Sequence, residues 1–87
     1  MASRKPLIVG NWKMNKTIAE TCAFIADLRA RELPLAHVDA VICPPFTALC
    51  SVNEALAGSG IGLGAQNVSW ADRGAFTGEI SPLLLVE

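Results

Sequence analysis

Two side chains able to bind an anion stand two positions apart near the start of the chain. Asn11 and Lys13 lie in Gly10-Asn11-Trp12-Lys13-Met14-Asn15, directly after the apolar run Leu7-Ile8-Val9. In parallel α/β folds the carboxyl ends of the strands carry the chemistry. A lysine at such an end is a fixed positive charge for an anionic group such as phosphate, and an asparagine amide both donates and accepts. The same residues also read as a loop with a solvated lysine and a packed tryptophan, and position alone leaves both readings open. Gln66 follows a third apolar run, Ile61-Gly62-Leu63-Gly64-Ala65, and borders the same face. It reads either as a supporting amide of that site or as a plain strand-end residue.

Other reactive residue types carry less. His37, the single histidine, precedes the second apolar run, Val38 to Cys43. That places it at the amino-terminal end of a strand, the wrong face for catalysis, and it reads as a surface histidine. Cys22, Cys43 and Cys50 form no C-x-x-C pair, and one histidine cannot complete a zinc site with them. The expectation is three reduced, mostly buried thiols and no metal. Gly60-Ile61-Gly62-Leu63-Gly64-Ala65 matches a dinucleotide-binding pattern formally. It coincides with a predicted strand instead of opening a helix, so it is rejected.

These residues need elements to position them. The first two apolar runs are β-branched and bounded by turn residues, as strands covered on both faces are. Between them, Thr17 and Glu20 form a capping box, followed by an apolar stripe of Ile18, Cys22, Ile25 and Leu28 with Phe24 beside it. A second helix is predicted from about Pro45 to Ala57, with Phe46, Leu49, Val52 and Leu56 inward and Gly58-Ser59-Gly60 stopping it. The order is β-α-β-α-β, with connections suited to right-handed crossovers and parallel strands. A loop of about Gln66 to Ile80 follows, long for such a connection and holding Trp70 and Phe76, which suits docking into something. Ser81-Pro82 then reads as the cap and first residue of a third helix.

The 87 residues carry 52% hydrophobic and 17% charged residues, with a net charge of −1. That excludes a solvating disordered tail and leaves room for one unit at most. No basic run marks a nucleic-acid interface. The amino-terminal apolar run is too short for a signal peptide or a membrane span, so the cytoplasm is the expected compartment. Few charges in so short a chain, and a third helix begun within its last seven residues, together predict a piece of something larger.

The pieces resemble the triosephosphate isomerase family. Asn11-Trp12-Lys13-Met14-Asn15 is similar to that family's first-loop signature, and Cys43-Pro44-Pro45-Phe46 to its second strand end. Gly64-Ala65-Gln66-Asn67 and Gly74-Ala75-Phe76-Thr77-Gly78-Glu79-Ile80-Ser81 are similar to its third strand and third loop. The resemblance covers essentially the whole chain in order.

It implies an α/β fold: the first three β/α units of a TIM (β/α)8 barrel, with residues 1–87 as the amino-terminal part of a single domain cut in its third helix. It implies interconversion of dihydroxyacetone phosphate and glyceraldehyde 3-phosphate through an enediolate, in glycolysis and gluconeogenesis, without cofactor or metal. Lys13 would be catalytic, and Asn11 and Lys13 would bind the substrate. Thr77 would lie at the tip of a third loop, residues 67–80, that enters the partner subunit of a homodimer. Glu79, Gln66 and Met14 would be supporting or interface residues. The resemblance also implies that the family's catalytic histidine and glutamate lie beyond Glu87, so the isolated chain is expected to be inactive. The alternative is a small non-catalytic α/β module that binds a phosphate or a protein.

Overall fold

The computed structural model describes residues 4–87. Strands and helices alternate: β1 (Leu7–Asn11), α1 (Ile18–Arg29), β2 (Asp39–Cys43), α2 (Leu49–Ala55), β3 (Gly62–Leu63) and α3 (Pro82–Leu85). The strands form one parallel sheet in the order β1-β2-β3. This is the expected open run of β/α units, and it is not a closed barrel. The register places Leu7 opposite Asp39 and Asn11 opposite Cys43, so the carboxyl ends of β1 and β2 finish level.

The Thr17 capping box forms as expected. Glu20 N–H donates to Thr17 Oγ1 at 3.2 Å, and Thr17 N–H donates to Glu20 Oε1 at 3.0 Å. Two backbone donors that the helix cannot satisfy are thereby paired. The Thr17 backbone N–H, then the Thr17 side chain, hold the Glu20 carboxyl below the usual carboxylate range, with Lys16 adding to the effect and a small desolvation opposing it. A carboxyl whose pKa is lowered on folding stabilises fully above its unfolded value of about 4.3, and that contribution disappears as pH falls through the folded value. Glu20→Gln is therefore expected to be less stable than the parent chain at about pH 7, with the difference shrinking as pH falls through the folded value. Urea titrations at about pH 7 and at a series of lower pH values check this.

The inward face of α1 differs from the expected stripe. Thr21 and Ile25 are buried and Leu28 is half-buried, while Ile18 and Cys22 are exposed. A threonine can occupy the inner face because its Oγ1 donates to Thr17 O at 2.7 Å, leaving no unpaired hydroxyl. The second helix also starts later than predicted. A single 3₁₀ turn, Phe46–Ala48, precedes it, with Ala48 N–H donating three residues back to Pro45 O at 3.0 Å. Gly58 and Gly60 then take φ of +73° and +80°, which a residue with a Cβ adopts at a cost. Arg29 closes the end of α2: its Nη1 donates to Ala55 O at 2.8 Å and Ala57 O at 2.7 Å.

The core lies on one face of the sheet and comprises Ile25, Ile42, Ala48, Val52, Leu56 and Ile61. Trp12, Leu28, Leu33, Leu35 and Leu63 pack around it. β3 is shorter than the predicted run, and its glycines allow close approach to β2. A Cβ on Gly64 would fall 2.8 Å from Cys43 Sγ. β1 departs from the expectation of two covered faces, since Leu7, Ile8 and Val9 are all more than half exposed. Among the strands and helices, α2 packs against β3, α1 packs against α2, and β1 packs only against β2. The three cysteines are free, but Cys22 and Cys50 are exposed instead of buried. Among the described residues no helix is long and apolar enough to cross a membrane. The third helix begins as predicted, with Leu84 N–H donating to Ser81 Oγ at 3.3 Å and Pro82 in its first turn.

Candidate functional site

The chain leaves β1 at Asn11 and turns sharply. Asn11 Oδ1 accepts from Lys13 N–H at 2.9 Å, and Asn15 Nδ2 donates to Trp12 O at 2.9 Å. These short-range amide bonds hold a compact loop. Lys13 takes φ of 55° and Lys16 φ of 75°, conformations that are uncommon for residues other than glycine. Such backbone persists only where its surroundings over-determine it. Trp12 anchors the loop from below, edge-on to Phe24 at 5.3 Å between ring centroids. Lys16 Nζ lies 5.2 Å from the Phe24 centroid and 5.9 Å from that of Trp12, near enough for cation–π attraction.

Gln66 ties this loop to the sheet. Its Nε2 donates to Lys13 O at 2.9 Å and to Cys43 O at 2.9 Å. Cys43 O also accepts from Trp12 N–H at 3.1 Å. One amide thus joins the ends of β1 and β2 to the end of β3. Of the expected site residues, the fold gathers Asn11, Lys13 and Gln66 at the carboxyl edge of the sheet. Lys13 is exposed and makes no ion pair among the described residues. Replacing Gln66 by Glu puts a carboxylate with no donor against two carbonyl oxygens. Gln66→Glu is expected to cost about 1–3 kcal/mol in urea unfolding.

Met14, Thr77 and Glu79 stand apart from this cluster. Met14 is 95% exposed, and Thr77 and Glu79 are exposed on the long loop. Within the chain neither loop residue hydrogen-bonds to the Asn11–Asn15 segment. The loop is closed at its base, where Ser69 N–H donates to Ile80 O at 2.8 Å. Its body projects with Trp70 and Phe76 outward. His37 sits in the turn before β2, the end of the strand opposite Cys43, as expected. The sequence reading missed Lys16, whose role comes from the two rings beneath it, and the Cys43 carbonyl, which no side-chain pattern announces.

This geometry is an electropositive loop at the strand ends, braced by a glutamine and followed by a projecting aromatic loop. The same segments lie inside a match to known proteins. The family model described as triosephosphate isomerase matches residues 6–87. A triosephosphate isomerase of Alkaliphilus metalliredigens is 56% identical over 84 residues, covering 97% of this chain and 34% of the relative. One from Symbiobacterium thermophilum is 51% identical over 84 residues, covering 97% and 33%. One from Solibacter usitatus is 52% identical over 82 residues, covering 94% and 33%. The chain therefore spans about a third of the length of the curated relatives it matches. With both the lysine loop and the aromatic loop inside a match that runs through nearly every residue, the chain belongs to the triosephosphate isomerase family.

Proposed function

We propose that these residues are the amino-terminal part of a single (β/α)8 domain that interconverts dihydroxyacetone phosphate and glyceraldehyde 3-phosphate. The observation that carries this is Lys13: its side chain is exposed at the strand ends and without an ion pair among the described residues, while its backbone is fixed on both sides by Asn11 Oδ1 and Gln66 Nε2. A fixed ammonium there holds the substrate phosphate and favours negative charge as the enediolate develops. Asn11 contacts the substrate beside it, and Gln66 positions the loop. No resident metal or cofactor is needed for a proton transfer of this kind.

The 87 residues by themselves provide no base for that proton. A base must come within hydrogen-bond reach of the carbon acid. His37 is at the other end of β2, and Glu79 is on the projecting loop. The isolated chain is therefore inactive in this reading. The exposed Trp70, Phe76 and Met14 support a homodimer in which loop 67–80 enters a partner subunit. Thr77 and Glu79 would then meet the Asn11–Asn15 loop of that partner. The cytoplasm is the compartment in which three free thiols stay reduced.

The test is a chimera. The 87 residues replace the matching third of the Alkaliphilus metalliredigens relative, and both the chimera and the isolated chain are assayed for triose phosphate isomerisation. The chimera is expected to turn over and the isolated chain is not. Turnover by the isolated chain, or a folded chimera without activity, overturns the reading.

A further inference from the structure

Two residues of the loop after β1 hold positive φ, and different partners fix them. Lys13 is held by amides: its N–H donates to Asn11 Oδ1 and its carbonyl accepts from Gln66 Nε2. Lys16, at φ 75°, is exposed and makes no ion pair among the described residues. Its ammonium meets aromatic rings instead, with Nζ 5.2 Å from the Phe24 centroid and 5.9 Å from that of Trp12. Glu20 feels the Lys16 charge, but its carboxylate is taken by the Thr17 N–H. The rings stand at 84° to each other, and one cation drawn to both π-systems holds them together.

Trp12 joins this clamp to the site. Its N–H donates to Cys43 O at 3.1 Å and its carbonyl accepts from Asn15 Nδ2 at 2.9 Å, and the next residue is Lys13. Its half-buried side chain packs against the core. An indole that cannot tilt keeps the peptide leading into Lys13 from turning. The ammonium and both rings come from residues 12–24, so the clamp is local to the β1–α1 connection and uses none of the open edge of the sheet.

We propose that Lys16 is a positioning residue for Lys13: its ammonium, set over Phe24 and Trp12, fixes the indole and through it the backbone that carries the Lys13 ammonium. The proposal rests on the isomerase reading, in which Lys13 serves both the substrate phosphate and the enediolate. A residue acting through Lys13 therefore changes kcat and KM together. A lysine that merely adds positive charge near an anionic substrate changes KM alone, whatever ring lies beneath it.

Steady-state kinetics on the chimera test this, with Lys16→Met, Lys16→Arg, Phe24→Leu and the Lys16→Met/Phe24→Leu pair, each checked as folded by circular dichroism. Methionine keeps the apolar stem without the charge, and leucine keeps bulk without the π-face. Lys16→Met is expected to lower kcat/KM about two- to fivefold, the worth of one cation–π contact at an exposed site, with kcat falling and KM rising. The pair is expected to lose no more than the worse single variant. Lys16→Arg is expected to match the parent, because a guanidinium also stacks on aromatic faces. An unchanged kcat in Lys16→Met, losses that multiply in the pair, or failure of arginine to restore activity overturns the proposal. NMR of the chimera labelled with ¹³C at the lysine ε-carbons gives a reading that needs no turnover. The Lys16 signal, assigned by its absence from Lys16→Arg, is expected upfield of the other lysines through the ring currents and to move back towards them in Phe24→Leu. An unshifted Lys16 signal overturns the clamp. A parent chimera that shows the shift but no activity overturns the isomerase reading and leaves the clamp standing.

Discussion

Lys13→Gly in the chimera is expected to lower kcat by about 10²–10³-fold while leaving the fold intact, the range seen when one group stabilising a developing oxyanion is removed. Glycine is the informative substitution because Lys13 sits at φ 55°. Any other residue keeps the strain and removes the ammonium, whereas glycine removes both, so lost activity cannot be assigned to a distorted loop. KM is expected to rise as well, since the same ammonium holds the substrate phosphate in the ground state. Lys13→Arg is expected to recover only part of the loss, because a planar fork does not place charge where a compact ammonium does. Steady-state kinetics on the three proteins check this. A loss under about tenfold, or 1.4 kcal/mol, would mean that Lys13 is a solvated loop residue.

Ile25→Ala is expected to unfold most of the isolated chain at room temperature. Ile25 is 1% exposed, and truncating a buried isoleucine costs about 2–5 kcal/mol. A domain of this length has about 4–13 kcal/mol to lose, and a chain exposing this much surface lies at the low end. Ile18→Ala, at a position 49% exposed, is expected within about 0.5 kcal/mol of the parent. Thermal melts followed by circular dichroism separate the two. Equal effects would restore the stripe that hydrophobicity suggests, in which Ile18 and Ile25 face the core together.

That contrast marks where sequence patterns suffice. The Thr17–Glu20 box and the Ser81-Pro82 start were legible because their partners lie within three residues. The strands at Leu7–Asn11 and Asp39–Cys43 were legible because each is a short apolar run with a β-branched pair, Ile8-Val9 and Val41-Ile42, bounded by turn residues. The face of α1 was misread because apolarity ranks Cys22 above Thr21. The hydroxyl bond back to Thr17 O, which makes Thr21 a core residue, has no signature in composition. At the site, Asn11 and Lys13 stood out by position and by family pattern. Gln66 could be placed at the right edge but not given its bonds, which reach residues 53 and 23 positions away. Only the register of three strands brings those carbonyls within reach of one amide.

The Arg29 clasp bears on the order in which the chain can assemble. The guanidinium precedes its acceptors, Ala55 O and Ala57 O, by 26 and 28 residues. During synthesis, which adds residues from the amino end at about 5–20 per second, the donor exists before the acceptors. The end of α2 can be sealed the moment Ala57 is free to fold, with nothing required from any later residue. A two-helix, two-strand block is thus able to close behind the ribosome as the third strand is being made.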